Sequence, residues 1–220
     1  MRITKRHIGF AAAAIVGLSW FSLFSTSIST PAVMHLRWLK PGQTPFMEDS
    51  GRDEVFFKWV PLSGISEYLR QAVVIAEDDQ FFEHPGFDWE AIKKAAKVDW
   101  QRRRFSRGAS TITMQLARNL YLSPDKTLFR KFKELLITLK LERELPKERI
   151  LELYFNVVEW GDGIYGAEAA AKHYFGKGAA GLTRHEAAFL AAILPRPRFY
   201  DRHRGGPQLD GRVSSIERRL

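Results

Sequence analysis

The chain has 220 residues, 45% of them apolar, which is enough for a folded core and argues against disorder. It carries a formal net charge of +9 and a pI near 9.8, a balance that suits nucleic acid, an anionic membrane surface or a phosphate-bearing substrate. It has no cysteine, which excludes disulfides and cysteine-ligated metal sites.

Arg2, Lys5 and Arg6 precede a stretch, Ile8 to Met34, that contains no charged residue. A single transmembrane helix over residues 8–30 is expected, because about 20 apolar residues cross roughly 30 Å of hydrocarbon. The basic residues in front place residues 1–7 in the cytoplasm. A signal peptide is the alternative, since Ser25-Thr26-Ser27 is small enough for cleavage. Residues 31–54 read as a connector, broken by Pro31, Pro41-Gly42 and Pro45. The apolar segment from Val55 to Val60 is too short to type as strand or extended chain.

From Ser66 the period is helical. Leu69, Ala72, Val73 and Ala76 lead into Glu77-Asp78-Asp79, and Pro85-Gly86 forces the helix to stop. Glu77 falls at the edge of the apolar stripe, where low polarity and neighbouring acids raise a carboxylate's pKa and make it a candidate general base. Read by itself, the run is first of all an acidic helix end on a solvated surface. A second helix is expected from about Asp88 to Arg104, with Trp89, Ile92, Ala96 and Trp100 on one face.

The next runs from Ser110 to Leu120, with Thr111, Gln115 and Arg118 in one polar row able to bind an oxyanion or a sugar. Ser123-Pro124-Asp125 is a turn that caps the helix from about Thr127 to Glu144. Leu128, Phe132, Leu135, Leu136 and Leu139 form the expected buried stripe of that helix, with Arg130, Lys131 and Glu134 on the other side as ordinary surface pairs. Pro146 opens another helix, burying Ile150, Leu153, Tyr154 and Val157. A small-residue helix follows over Ala167 to Phe175. Thr183 to Glu186 has the form of a capping box for the helix that ends near Leu194. Residues 201–220 read as a basic tail, forming a short helix or fraying. The fold class is therefore mainly α.

Some motifs match only on paper. Gly161-Asp162-Gly163-Ile164-Tyr165-Gly166 has the dinucleotide-binding pattern but follows a helix, with no βαβ context. Ser123 to Lys126 fits S-x-x-K, yet Pro124 spoils its geometry. His185-Glu186 would need a histidine at Phe189 to bind zinc, and the six histidines are scattered.

Taken together the runs resemble the peptidoglycan glycosyltransferases of glycosyltransferase family 51, from about Val55 to Pro197. Glu77-Asp78 with Phe81, His84 and Gly86 looks like the first motif of that family, and Gly108 to Thr113 with Gln115 and Asn119 like its second. Arg130-Lys131 with Glu134 looks like the third, Ile150 to Glu152 with Tyr154 and Asn156 like the fourth. Ala170-Ala171, Tyr174 to Lys177, Leu182-Thr183 and Glu186 to Ala188 look like the fifth. Val158 to Gly163 and the short remainder after Pro197 resemble the monofunctional members, which lack a transpeptidase domain. Met114, Arg118 and Phe155 depart from the residues common in the family.

The resemblance implies a lysozyme-like helical glycosyltransferase domain over residues 55–200 that polymerises lipid II into β-1,4 glycan. Glu77 and Glu134 would be catalytic. Phe81, Ser110, Thr111, Gln115, Arg118, Lys126, Lys131 and Lys133 would bind substrate. A divalent metal, Mg²⁺ or Mn²⁺, would assist at the diphosphate, with Glu134 as its one candidate ligand. The expected partners are lipid II, the nascent glycan strand, the membrane and the divisome or penicillin-binding proteins, with no nucleic acid. The expected location is the bacterial inner membrane, single-pass, with the catalytic domain periplasmic. A lytic, lysozyme-like enzyme and a non-enzymatic scaffold are the rival readings.

Overall fold

The computed structural model describes residues 31–48, 56–90, 93, 110–123 and 127–220. The expected transmembrane helix at 8–30 and Lys126 lie outside the described residues, as does the 88–104 helix beyond its first positions. Trp89, assigned to an apolar face, is 60% exposed. Among the described residues no helix is long and apolar enough to cross a membrane.

The body is helical: α1 (Glu67–Glu77), α2 (Ile112–Tyr121), α3 (Leu128–Glu144), α4 (Lys147–Val157), α5 (Ala167–Phe175), α6 (Arg184–Ile193), α7 (Pro197–Arg202) and α8 (Pro207–Glu217). This matches the mainly α expectation and is consistent with a lysozyme-like domain. The helix starts obey local chemistry. Thr111 and Thr127 cap α2 and α3, each accepting a backbone N–H three residues on. Thr183 and Glu186 form the complete capping box of α6.

Two packing sets position everything else. α1 lies against α6 and α8, while α2 lies against α3 and α4. Leu69, Ala72 and Val73 bury the inner face of α1, as its period predicts. A small sheet has the order β1-β3-β2, with β1 (Phe56–Phe57) parallel to β3 (Ile164–Tyr165) and β2 (Glu159–Gly161) antiparallel to it. The Gly161–Gly166 run is thus the β2–β3 hairpin. Gly163 and Gly166 hold positive φ there, and a Cβ on Gly166 would press on the Asn156 carbonyl at 3.0 Å.

Asn156 itself clamps the chain after β1: its Oδ1 accepts from the Val60 N–H at 2.9 Å and its Nδ2 donates to the Val60 carbonyl at 2.8 Å. Glu152 accepts the Leu62 N–H at 3.1 Å. These polar side chains of the fourth motif satisfy backbone that no sheet partner reaches.

Three expectations change. The connector at 31–54 contains a 3-10 turn at Met34–Arg37 and a helical turn at Pro45–Glu48, with Val33, Leu36 and Met47 buried. Residues 201–220 are no frayed tail: α8 packs on α6 and α1 through Leu209, Val213 and Ile216. On α3 the stripe is rotated. Glu134, Ile137, Thr138 and Leu141 are buried, whereas Phe132 and Leu139 are exposed. The helix is apolar on two sides, and the inward side is the one carrying Glu134.

Candidate active site

Glu77 is the last residue of α1, and Asp78 ends the helix by leaving helical backbone geometry. The chain then loops back over the start of α2. The Ile112 N–H donates to Asp78 Oδ2 at 2.9 Å, and Asp78 Oδ1 meets His84 Nε2 at 2.8 Å. Gly86 N–H donates to His84 Nδ1 at 3.1 Å, so the imidazole proton resides on Nε2 and points at Asp78. Thr111 Oγ1 donates to the Gly86 carbonyl at 2.7 Å. Asp78 and His84 therefore act on the shape of the loop.

Glu77 has a different partner set. Gln115 Nε2 donates to Glu77 Oε2 at 2.8 Å, and Tyr154 OH donates to Gln115 Oε1 at 3.1 Å. Tyr154 is fully buried, and its buried phenol is held well above the usual range. It stays an O–H donor and thereby fixes which end of the Gln115 amide faces the carboxylate. Burial raises the Glu77 pKa above the ordinary glutamate value. The Gln115 hydrogen bond and the charges of Arg212 and Arg118 pull it down, while Asp78 pushes it up. This is a half-buried carboxylate beside a neutral donor with cations nearby.

Glu134 has a contrasting setting. It is 2% exposed and bonded by Arg130 at 3.2 Å on Oε2 and by Lys131 on Oε1, while its own carbonyl accepts the Thr138 hydroxyl at 2.7 Å. These pairs are not the surface bridges expected from sequence. The carboxylate is buried, and the two cations offset the cost of taking its charge out of water. Both its oxygens face cations, and among the described residues no group of three His, Asp or Glu side chains can hold a metal. The donor set does not fit a protein-held metal, and Glu134 reads as a holder of Arg130 and Lys131.

The remaining expected residues divide. Gln115 and Arg118 share the Glu77 surroundings, and Arg118 Nε is buried without a hydrogen-bond partner among the described residues. Ser110 is half-buried at the entry to α2. Thr111 is 3% exposed, its hydroxyl engaged by the helix cap and Gly86. Phe81 is not available to a lipid or sugar: it is fully buried, with the Lys147 ammonium 4.5 Å from its ring centre. The exposed ring is its neighbour Phe82. Lys133 is half-buried over the Phe129 ring. Among the described residues no hydrogen bond or ion pair joins the Glu77 group to the Glu134 group; α2 packs against α3 and carries Gln115 toward Glu77.

Two residues escaped the sequence reading. Arg212 on α8 acts on the Glu77 charge more strongly than Arg118 does. Arg219 donates to Asp79 Oδ1 at 2.6 Å and to the Ile75 carbonyl at 3.3 Å, tying the chain end to the last turn of α1. Both line a cavity of about 190 Å³ with Ile75, Ala76, Ser215 and Ile216. The apolar period Leu209, Val213, Ile216 was the available signal that this segment docks and carries Arg212 inward.

Comparison with known proteins identifies the family. A family model described as Transglycosylase matches residues 46–220. A biosynthetic peptidoglycan transglycosylase of Janthinobacterium sp. (strain Marseille) is 47% identical over 188 residues, 82% of this chain and 81% of the relative. One of Dechloromonas aromatica (strain RCB) is 44% identical over 191 residues, 83% of each chain. Another, of Nitrosomonas eutropha, is 42% identical over 217 residues, 95% of this chain and 86% of the relative. The family match runs to the last residue, so it takes in the helix that brings Arg212 to Glu77, and the chain belongs to the transglycosylase family.

Proposed function

We propose that this chain is a peptidoglycan glycosyltransferase of cell wall synthesis, with Glu77 as the base that starts each sugar transfer. The observation that carries the assignment of the base is the setting of Glu77: half-buried, raised in pKa by partial desolvation, and bonded by a neutral amide rather than neutralised by a salt bridge. A raised pKa makes the carboxylate a better proton acceptor than an ordinary glutamate.

The substrate is lipid II, a disaccharide-pentapeptide on a polyprenyl diphosphate. Glu77 removes the proton of the acceptor 4-hydroxyl. The freed oxygen attacks the anomeric carbon of the growing donor chain and forms the β-1,4 bond. The bond from that carbon to the diphosphate oxygen breaks, and the polyprenyl diphosphate leaves with the electron pair. One displacement inverts the α-linked donor. Charge builds on the leaving diphosphate, and fixed cations lower that barrier. Arg130 and Lys131, oriented by Glu134, serve the donor diphosphate, with Lys126 and Lys133 as further cations. Arg118 and Arg212 flank the acceptor side. Ser110 and Gln115 line the cleft. No step is routed through a protein-held metal.

A polyprenyl substrate stays in the bilayer, so the enzyme works at the outer face of the bacterial inner membrane, held by an anchor at residues 8–30. The outward face of α3 supports this: Phe129, Phe132 and Leu139 are 47%, 40% and 48% exposed. The Met34–Arg37 turn packs on the same helix, and Met34, Trp38 and Leu39 are exposed beside Arg37 and Lys40. Apolar side chains with Trp and flanking cations suit the headgroup boundary.

The test is purified full-length protein with labelled lipid II, resolved on gels, with and without Mg²⁺ or Mn²⁺. Polymer from the wild type and none from Glu77→Gln is the expected result. Fragments released from sacculi without lipid II consumption would instead make the chain a lytic enzyme.

A further inference from the structure

The loop that follows Glu77 is held by contacts that the chemistry above does not use. Lys147, the first residue of α4, donates to the His84 carbonyl at 2.7 Å and to Glu142 Oε1 at 2.9 Å. Its ammonium also lies 4.5 Å from the centre of the Phe81 ring. Glu142 in turn accepts the hydroxyl of Thr113 on α2. The lysine and glutamate side chains are 19% and 9% exposed. A cation at the N-terminus of a helix opposes the helix dipole, so local helix electrostatics do not explain Lys147. Its tertiary bonds do.

Those bonds converge on one point of the loop. The His84 ring donates to Asp78 and accepts from Gly86, while the His84 carbonyl receives Lys147. Gly86 is packed so closely that a Cβ there would come within 2.9 Å of Glu142 and Thr138, and its φ of 96° is a glycine conformation. The Glu142–Lys147 pair thus spans the junction of α3 and α4, and it meets the loop at His84 and Gly86. His84 is the link to Asp78, the residue next to Glu77.

We propose that Lys147 is a positioning residue for Glu77: held by Glu142, it fixes His84 and through it Asp78, so that the carboxylate stays aligned with the acceptor hydroxyl. This rests on the reading of Glu77 as the base. Lys147 touches no reacting atom, so its loss misplaces the base without removing a substrate contact. A small misplacement of a catalytic group costs rate rather than binding.

The experiment measures kcat and KM for lipid II polymerisation by the full-length protein, together with the unfolding midpoint, well below that midpoint. Lys147→Met should lower kcat about 10- to 100-fold with KM within about twofold. Lys147→Arg, which keeps donors for the His84 carbonyl, should recover most of kcat. Ile164→Val, a core truncation in β3, supplies a destabilised control that should keep kcat. Should Lys147→Met fail to fold, Glu142→Gln carries the test: it loosens the hold on Lys147 at equal volume, and kcat should fall with KM retained. Wild-type kcat in Lys147→Met or, in that event, in Glu142→Gln overturns the proposal. So does an equal fall in the Ile164→Val control. Activity in Glu77→Gln overturns the base itself and the positioning claim with it, whereas an inactive Glu77→Gln beside a fully active Lys147→Met overturns the positioning claim alone.

Discussion

Glu77 and Glu134 are the same residue type in two kinds of burial. Glu77 ends a helix, takes a hydrogen bond from a neutral amide and has its pKa raised by burial. Glu134 sits mid-helix between Arg130 and Lys131, with both oxygens occupied. A carboxylate whose ionised form is only partly compensated is ready to accept a proton. One whose charge is fully paired is ready to hold its partners in place. The division of roles follows from the partners and not from the residue.

The sharpest way to break that comparison is Glu77→Gln. Loss of a general base should cost about 10²- to 10⁴-fold in polymerisation. The same variant should be more stable than the wild type at neutral pH. The sign follows from linkage. A carboxylate raised in the folded state binds its proton more tightly there than in the unfolded chain. Its ionised form therefore penalises the fold once pH exceeds the unfolded value, about 4.3, and the penalty is complete above the folded pKa. Glutamine removes it. Thermal melts should show a higher midpoint for Glu77→Gln at pH 7 and a gain that shrinks as pH falls toward 4. A lower midpoint at pH 7 would mean the carboxylate is stabilised in place, contrary to the base reading.

Glu134→Gln should do the reverse to stability. It leaves Arg130, 17% exposed, and Lys131, 47% exposed, without their shared counterion. Breaking a fully buried pair costs about 3–5 kcal/mol; with Lys131 half in water, a loss nearer 2 kcal/mol is expected. Donor affinity should fall with it, because the two cations lose their orientation. Denaturant unfolding and lipid II binding check the two effects separately, and a variant that melts like the wild type would return Glu134 to the status of a surface pair.

Much of the Glu77 half was legible in sequence. The apolar period of α1, the stop at Pro85-Gly86 and the polar row on α2 each report a local constraint, and local constraints are written locally. The Glu134 half was only partly so. Its residues were found, but their burial was misjudged, because α3 offers one apolar side at Phe132 and Leu139 and another at Ile137 and Leu141. Periodicity shows that a helix has a face and not what covers it. Phe81 failed for a related reason: an aromatic in a functional run reads as a ligand contact until its burial is known. The strands β2 and β3 were missed because three and two residues carry no period. Arg212 was invisible as a site residue, because α8 packs against α1 from far along the chain.

Arg212→Ala sharpens the Glu77 side alone. Its positive charge favours the ionised carboxylate, and removing it leaves burial and Asp78 less opposed. The acidic limb of kcat/KM should move to higher pH, with activity above that limb reduced only several-fold. Asp78→Asn removes a negative neighbour and should lower the Glu77 pKa, although it also breaks the bonds to Ile112 and His84. Arg212→Ala is the cleaner variant, and a limb that stays where it was would detach α8 from the chemistry.

Tyr154→Phe should have the smallest effect. It deletes one buried O–H and leaves the ring contact with Phe155 in place. Gln115 Oε1 then lacks its donor, and among the described residues only the Glu77 carboxylate itself still selects which end of the amide faces it. A flipped amide would set an acceptor against the carboxylate, so the population that donates to Glu77 falls. The hydrogen bond is worth about 1 kcal/mol, which corresponds to a several-fold loss of kcat/KM. Because the Gln115 bond lowers the Glu77 pKa, weakening it should shift the acidic limb upward, in the same direction as Arg212→Ala. The pH profile of kcat/KM tests this. An unshifted limb together with full activity would show that Gln115 keeps its orientation without the tyrosine, and that the tuning of Glu77 ends at its first neighbour.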